Sequence, residues 1–198
     1  MKQESHRLLG HYLIDQLQEQ PDPRFVRAFL TGCVEPDRNP LSYLKGSIRG
    51  RAFFGHNYQN ADRWIERHIS ILSRKRHWNM WDYYCMGKLM HYTSDAFTYV
   101  HNNCFTDSIT AHRAYEDVLQ EAFFRCLDER AYTPKTFRAD PNAFFREIHE
   151  EYLEVRQDVE RDCRYILSTC NWLFLQLLPE TALACRELVL PVPVPMPV

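Results

Sequence analysis

An all-α fold is what three features of this sequence predict. Glycine is scarce, at six residues in 198. No stretch alternates apolar and polar residues for the length of a strand, and apolar residues recur at three- and four-residue intervals along most of the chain. That spacing lines up apolar side chains along one side of a helix, where they can be buried together.

The elements follow in order. Ser5 can cap a helix over about 6–19, and "PDPRFVRAFLTGC" opens a second with proline at its start, where the missing N–H costs nothing. "VEPDRNPLSYLKGSIRGR" then breaks the pattern with two prolines and two glycines, which predicts an irregular loop around Asp37. Helices are expected over 60–74, 82–100, 107–130 and 141–178, with "RAYTPKTFRADP" as the last major connection. The end "PVPVPMPV" has too few backbone donors for regular structure and reads as an extended, polyproline-like tail.

A 45% hydrophobic and 25% charged composition suits one compact domain over 1–190, followed by the tail at 191–198. A formal net charge of -2 gives no general electrostatic reason to bind nucleic acid, so a partner must be inferred from a site. No window approaches the roughly 20 apolar residues of a membrane span, and "MKQESHRLLGHYL" lacks the apolar core of a secretory signal, which predicts a cytoplasmic protein. The seven cysteines are an odd number without CxxC spacing, which favours reduced, mostly buried thiols over a disulfide framework or a thiolate zinc site. A metal would have to be held by histidine and carboxylate.

The stretch "HYTSDAFTYVHNNCF", residues 91–105, carries that chemistry. Residues four apart share a helix face, so His91 and Asp95 can offer an imidazole and a carboxylate to one ion, and His112 with Glu116 repeats the arrangement. A surface salt bridge is the plain reading of one such pair, but burying either group unpaired among these apolar neighbours would be costly, and a shared cation removes that cost. His101 is turned roughly 80° from His91 on a straight helix, so it serves a different ion or sits at a bend. Asp37, between prolines, can project from its loop or form a simple Asx turn, and His56, after Gly55, is a further candidate or a helix cap. His11, His68, His77 and His149 are read as solvated, His149 because acids recur all around its helix.

Taken in order, His6-x3-Gly10, "PD" at 36–37, "GHN" at 55–57, His91-x3-Asp95-x5-His101 and His112-x3-Glu116 resemble the zinc-dependent phospholipase C family of bacteria, in particular its shorter intracellular members. The resemblance implies an all-α fold with a trinuclear zinc site. It would place one zinc on Asp37, His56, His91 and Asp95, a second on His101, His112 and Glu116, and a third on His6 with Asp95 shared. Secreted members add the mature N-terminal amine and carbonyl to the third ion. Here Met1-Lys2 stands in place of their initial tryptophan, and "HYTSDAFTYVHNN" lacks the proline they carry before the last histidine.

What the resemblance implies is phosphodiester hydrolysis of a phospholipid-like substrate, with Asp37 orienting the attacking water or accepting its proton. Zinc-dependent single-strand nucleases share this ligand order, so nucleic acid is the alternative substrate, and a metal-stapled helical interaction module the alternative class. The rim decides: base binding needs aromatic platforms beside a basic groove, a lipid surface needs apolar and aromatic residues next to cations. "SRKRHWNMWDYY", 73–84, can meet either need, or can be a basic helix end followed by core aromatics.

Overall fold

The computed structural model describes residues 1–17, 21–39, 57–127, 140–154 and 158–179. His56 and the tail at 191–198 lie outside these residues. Among the described residues the chain forms seven α-helices and no strand: α1 (Gln3–Asp15), α2 (Pro23–Arg38), α3 (Tyr58–Leu72), α4 (Met80–Ala96), α5 (Ile109–Cys126), α6 (Pro141–Glu154) and α7 (Val159–Leu177). None of them is long and apolar enough to cross a membrane.

α4 is the central helix, packed against α1, α2, α3 and α7. Apart from Tyr84 and Lys88, every residue from Tyr83 to Ala96 is buried, as expected of a helix surrounded by others. Its start is fixed by a capping box: the Asn79 side chain accepts from the Trp81 and Asp82 amides while Asp82 Oδ2 accepts from the Asn79 amide. α5 packs on α7 and α1, and α6 closes the far side on α7 and α3.

The α2–α4 crossing is unusually close, and two glycines permit it. A Cβ on Gly87 would lie 2.0 Å from the Phe29 carbonyl oxygen, and one on Gly32 would lie 2.1 Å from that of Tyr84. Both obstacles are backbone, so no rotamer change relieves them. Gly87→Ala is expected to force the helices apart and to cost about 1–3 kcal/mol of stability, as overpacking does. Urea unfolding would measure it, and a wild-type midpoint in the variant would show that the helices are not this tightly packed.

Four sequence expectations change. α1 begins at Gln3, with Lys2 at its N-cap position, so Ser5 lies buried inside the helix and does not cap it. Asp37 is helical: α2 runs through Pro36 to Arg38, because a proline in the last turn sacrifices only the bond to the Gly32 carbonyl while Asn39 N–H still closes on Glu35 O. The expected helix 82–100 stops at Ala96 and is followed by a 3-10 turn at Tyr99–His101. The expected helix 141–178 is two, with Asp158 capping the second through the Arg161 amide.

Candidate metal centre

Six of the sequence candidates converge in two groups where α1, α4, the 3-10 turn and α5 meet. His6, His91 and Asp95 present one donor atom each within 4.8 Å of one another, and His101, His112 and Glu116 do the same. Asp37 adjoins the first group, its Oδ1 3.7 Å from His91 Nε2 and its Oδ2 4.0 Å from His6 Nε2. The groups touch each other, because Asp95 Oδ1 is 3.3 Å from His6 Nε2 and 3.7 Å from His101 Nε2 while Oδ2 is 3.3 Å from His91 Nε2.

The hydrogen bonds around the first group fix its tautomers. His91 Nδ1 is 2.9 Å from the Cys33 carbonyl, which can only accept, so Nδ1 carries a proton, and in the neutral ring Nε2 then carries a lone pair. Ser94 Oγ donates to the His91 carbonyl at 2.8 Å and therefore accepts from His6 Nδ1 at 3.0 Å, which again leaves Nε2 a bare lone pair. The two rings stack with centroids 3.7 Å apart. Burial, with His91 beside it, lowers the pKa of His6 to about 4, so it is neutral near pH 7.

Two imidazole lone pairs thus face the oxygens of Asp95 and Asp37 in a nearly water-free space. Acceptors confronting acceptors is an unfavourable arrangement unless a cation sits among them, and the donor set is one that zinc takes. Outward-facing Nδ1–H groups bonded to a carbonyl and a hydroxyl are the orienting partners that metal-bound histidines need. The residues present therefore fit a divalent metal.

A positive charge already marks the junction. The Met1 amino nitrogen is buried 2.7 Å from Asp95 Oδ1, 2.9 Å from His101 Nε2 and 3.2 Å from Glu116 Oε1. Burial opposes its charge, but Asp95 and Glu116 outweigh this and raise its pKa to about 10. The same neighbourhood holds the Asp95 and Glu116 carboxyls far below the ordinary range despite burial: the amine charge acts on both, with His101 adding to it. In the second group His101 and His112 Nε2 lie 3.2 and 3.5 Å from Glu116 Oε1.

His101 reaches this second group because the chain breaks just before it, and the break is fastened from a distance. Asn102 Nδ2 donates to the Ala96 and Thr98 carbonyls, and His149 Nε2 lies 3.1 Å from Ala96 O and 3.2 Å from Asn102 Oδ1. The reading of His149 as solvated is therefore corrected: it is 2% exposed, and burial lowers its pKa to about 4. Phe145 and Tyr152, at i-4 and i+3, put it on the apolar stripe of α6, a signal that the surrounding acids conceal. Of the other three histidines, His11 and His77 are exposed as expected, whereas His68 is half-buried and stacks on Trp64.

Asp162 is the second fastener. It accepts from the Tyr99 amide at 2.8 Å, the Tyr115 hydroxyl at 2.9 Å and the Tyr152 hydroxyl at 2.7 Å, and so ties the 3-10 turn to α5, α6 and α7. Its position one turn before Ile166 on the buried face of α7 is the sequence signal for it.

The fold and these two groups define an all-helical protein with two His/carboxylate clusters that could hold metal. A family model described as zinc-dependent phospholipase C matches residues 5–173, so the chain belongs to that family. Searches of curated proteins and of solved structures returned no match.

Proposed function

We propose that the protein is a zinc-dependent phosphodiester hydrolase of phospholipase C type, and that His6, Asp37, His56, His91, Asp95, His101, His112 and Glu116 hold its metals. The observation that carries this is the pair of lone-pair-bearing Nε2 atoms, on His6 and His91, aimed at buried carboxylates within a chain of this family. Zinc bound there supplies a water of lowered pKa and a positive clamp for phosphate oxygens.

The chain's own residues divide the remaining work. Asp95, with both oxygens engaged at the junction of the groups, is the shared ligand. Asp37 is 14% exposed where Asp95 is 1%, so its carboxylate stands at the mouth of the first group, placed to orient the attacking water and take its proton. His112 and Glu116, at 18% and 14%, mark the open side of the second group.

Substrate choice is read from the rim. Beside His112 is a small cleft in which the apolar Val100, Phe105 and Ile109 alternate with the polar Asn57, Asn102, Asp107 and Ser108, so that among the described residues it offers mixed surface, an acidic group and no Lys or Arg. Ile109 is 64% exposed there. A nucleic-acid groove needs positive charge for the phosphates and stacking platforms for the bases, whereas apolar surface suits a lipid. Hydrolysis of a short-chain phosphatidylcholine, abolished by chelation and restored by zinc, is the expected result. Cleavage of single-stranded DNA with none of phosphatidylcholine under the same conditions would establish the nuclease alternative.

A further inference from the structure

The segment Ser73–Tyr84 forms the corner between α3 and α4, and its aromatics split into two sets. Trp78 and Tyr83 are buried and pack edge to face at 5.3 Å, anchoring the corner to the core. Met80 and Trp81 point outward, 55% and 66% exposed, with Trp81 stacked on Tyr84 at 5.0 Å. Ile71, 38% exposed, is the penultimate residue of the preceding helix. Between these apolar groups stand Arg74, Lys75, Arg76 and His77, all exposed, with Lys75 paired to Asp82.

From this geometry we infer that the α3–α4 corner is a docking patch for an anionic lipid surface, with Trp81 and Met80 entering the headgroup region and Arg74 and Arg76 contacting lipid phosphates. A protruding tryptophan flanked by cations is the side-chain set that the membrane interface favours, an apolar body with a polar edge beside positive charge. Three consecutive cations, Arg74, Lys75 and Arg76, raise the local positive charge at this corner above that of a chain whose net charge is -2. The platform is rigid: the Asn79–Asp82 capping box and the buried Trp78 fix the turn, so docking does not require the corner to order first. Trp81 and His91 share α4, about 15 Å apart along its axis, so the patch and the metal centre belong to one rigid body. The inference rests on the phospholipid reading only for its choice of a lipid surface over other polyanions.

The test is co-sedimentation of the full chain with vesicles of phosphatidylglycerol and phosphatidylcholine mixed, against vesicles of phosphatidylcholine alone. Preferential binding to the anionic vesicles, weakened by salt, is expected. Arg74→Ala with Arg76→Ala should lower the partition coefficient by roughly 30-fold, since each cation near an anionic surface contributes about fivefold. Trp81→Ala should lower it by about tenfold on both vesicle types through lost apolar contact. These side chains are exposed, so an unchanged helical circular dichroism spectrum in each variant confirms folding. Equal binding to both vesicle types by the wild type, or unchanged binding by the variants, overturns the inference. Arginine-dependent binding of a single-stranded oligonucleotide without vesicle binding overturns it in favour of a nucleic-acid surface. Because sedimentation does not depend on turnover, a protein that binds vesicles without hydrolysing lipid refutes the hydrolase reading alone. One that hydrolyses soluble lipid without binding vesicles refutes the patch alone.

Discussion

Asp95→Asn is expected to lower phosphodiester hydrolysis by on the order of 10³-fold or more, since removing one electrostatic stabiliser of a developing charge already costs about 10²–10³. Asp95 makes the largest such loss because its two oxygens serve both groups, facing His6 and His101 on one side and His91 on the other. The amide keeps the shape but gives up the negative charge, and one of its two ends becomes an N–H donor aimed at lone pairs. Metal content is the readout that separates lost chemistry from lost fold. Wild-type protein should carry metal that chelation removes, with a fall in melting temperature. Ligation at about 100 times Kd contributes about 2.7 kcal/mol, which in a chain of this size corresponds to roughly 5–10 °C. Asp95→Asn should show a reduced metal content and a smaller chelator-dependent shift. Wild-type metal content with full activity in this variant would remove Asp95 from the centre.

How far the centre was legible in the sequence depends on how local each relation is. His91 with Asp95, and His112 with Glu116, are visible because a helix places residues four apart on one side, and both helices form where the periodicity puts them. His101 is half visible: the helical rotation says that it cannot join His91 on a straight helix, and the 3-10 turn at Tyr99–His101 is how the chain resolves this. What ends α4 there is only partly local. Asn102, His149 and Asp162 hold the break from the turn itself, α6 and α7, and no pattern within 91–105 announces partners that are 47 to 63 residues away. The prolines around Asp37 suggest a loop, but Pro36 stands in the last turn of α2, where it removes one bond of the ladder; in mid-helix it would have ended the element. The close approach of α2 that brings the Cys33 carbonyl to His91 rests on Gly32 and Gly87, and these glycines show their purpose only in three dimensions.

Asp162→Ala is expected to destabilise the protein by about 3 kcal/mol, because a buried donor left without its acceptor costs about 1–3 kcal/mol and three donors, one buried and two partly buried, lose theirs here. Those donors are the Tyr99 amide and the Tyr115 and Tyr152 hydroxyls, and losing their common acceptor also frees the turn that aims His101. A fall of roughly 6–12 °C in melting temperature corresponds to that loss. Asp162→Asn should be milder, since an amide can still accept and the tyrosine hydroxyls can rotate to accept from it. The two variants also separate by pH. Burial raises the Asp162 carboxyl from 3.8 to about 7, with the Tyr99, Tyr152 and Tyr115 hydrogen bonds pulling the other way. A carboxyl raised in the folded state binds a proton there that the unfolded chain has released, so its contribution is complete below about pH 4 and is lost as pH rises through about 7. The neutral histidines run in the opposite sense. His6 and His149, lowered to about 4, favour the folded state above about pH 6.5 and weaken it as pH falls toward 4. The difference in urea stability between wild type and Asp162→Asn, measured at pH 5 and at pH 8, cancels the histidines and isolates Asp162. The wild-type advantage should be larger at pH 5 by a few kcal/mol, and an advantage that is equal or larger at pH 8 would show that the hydrogen bonds outweigh burial and hold Asp162 ionised across the range.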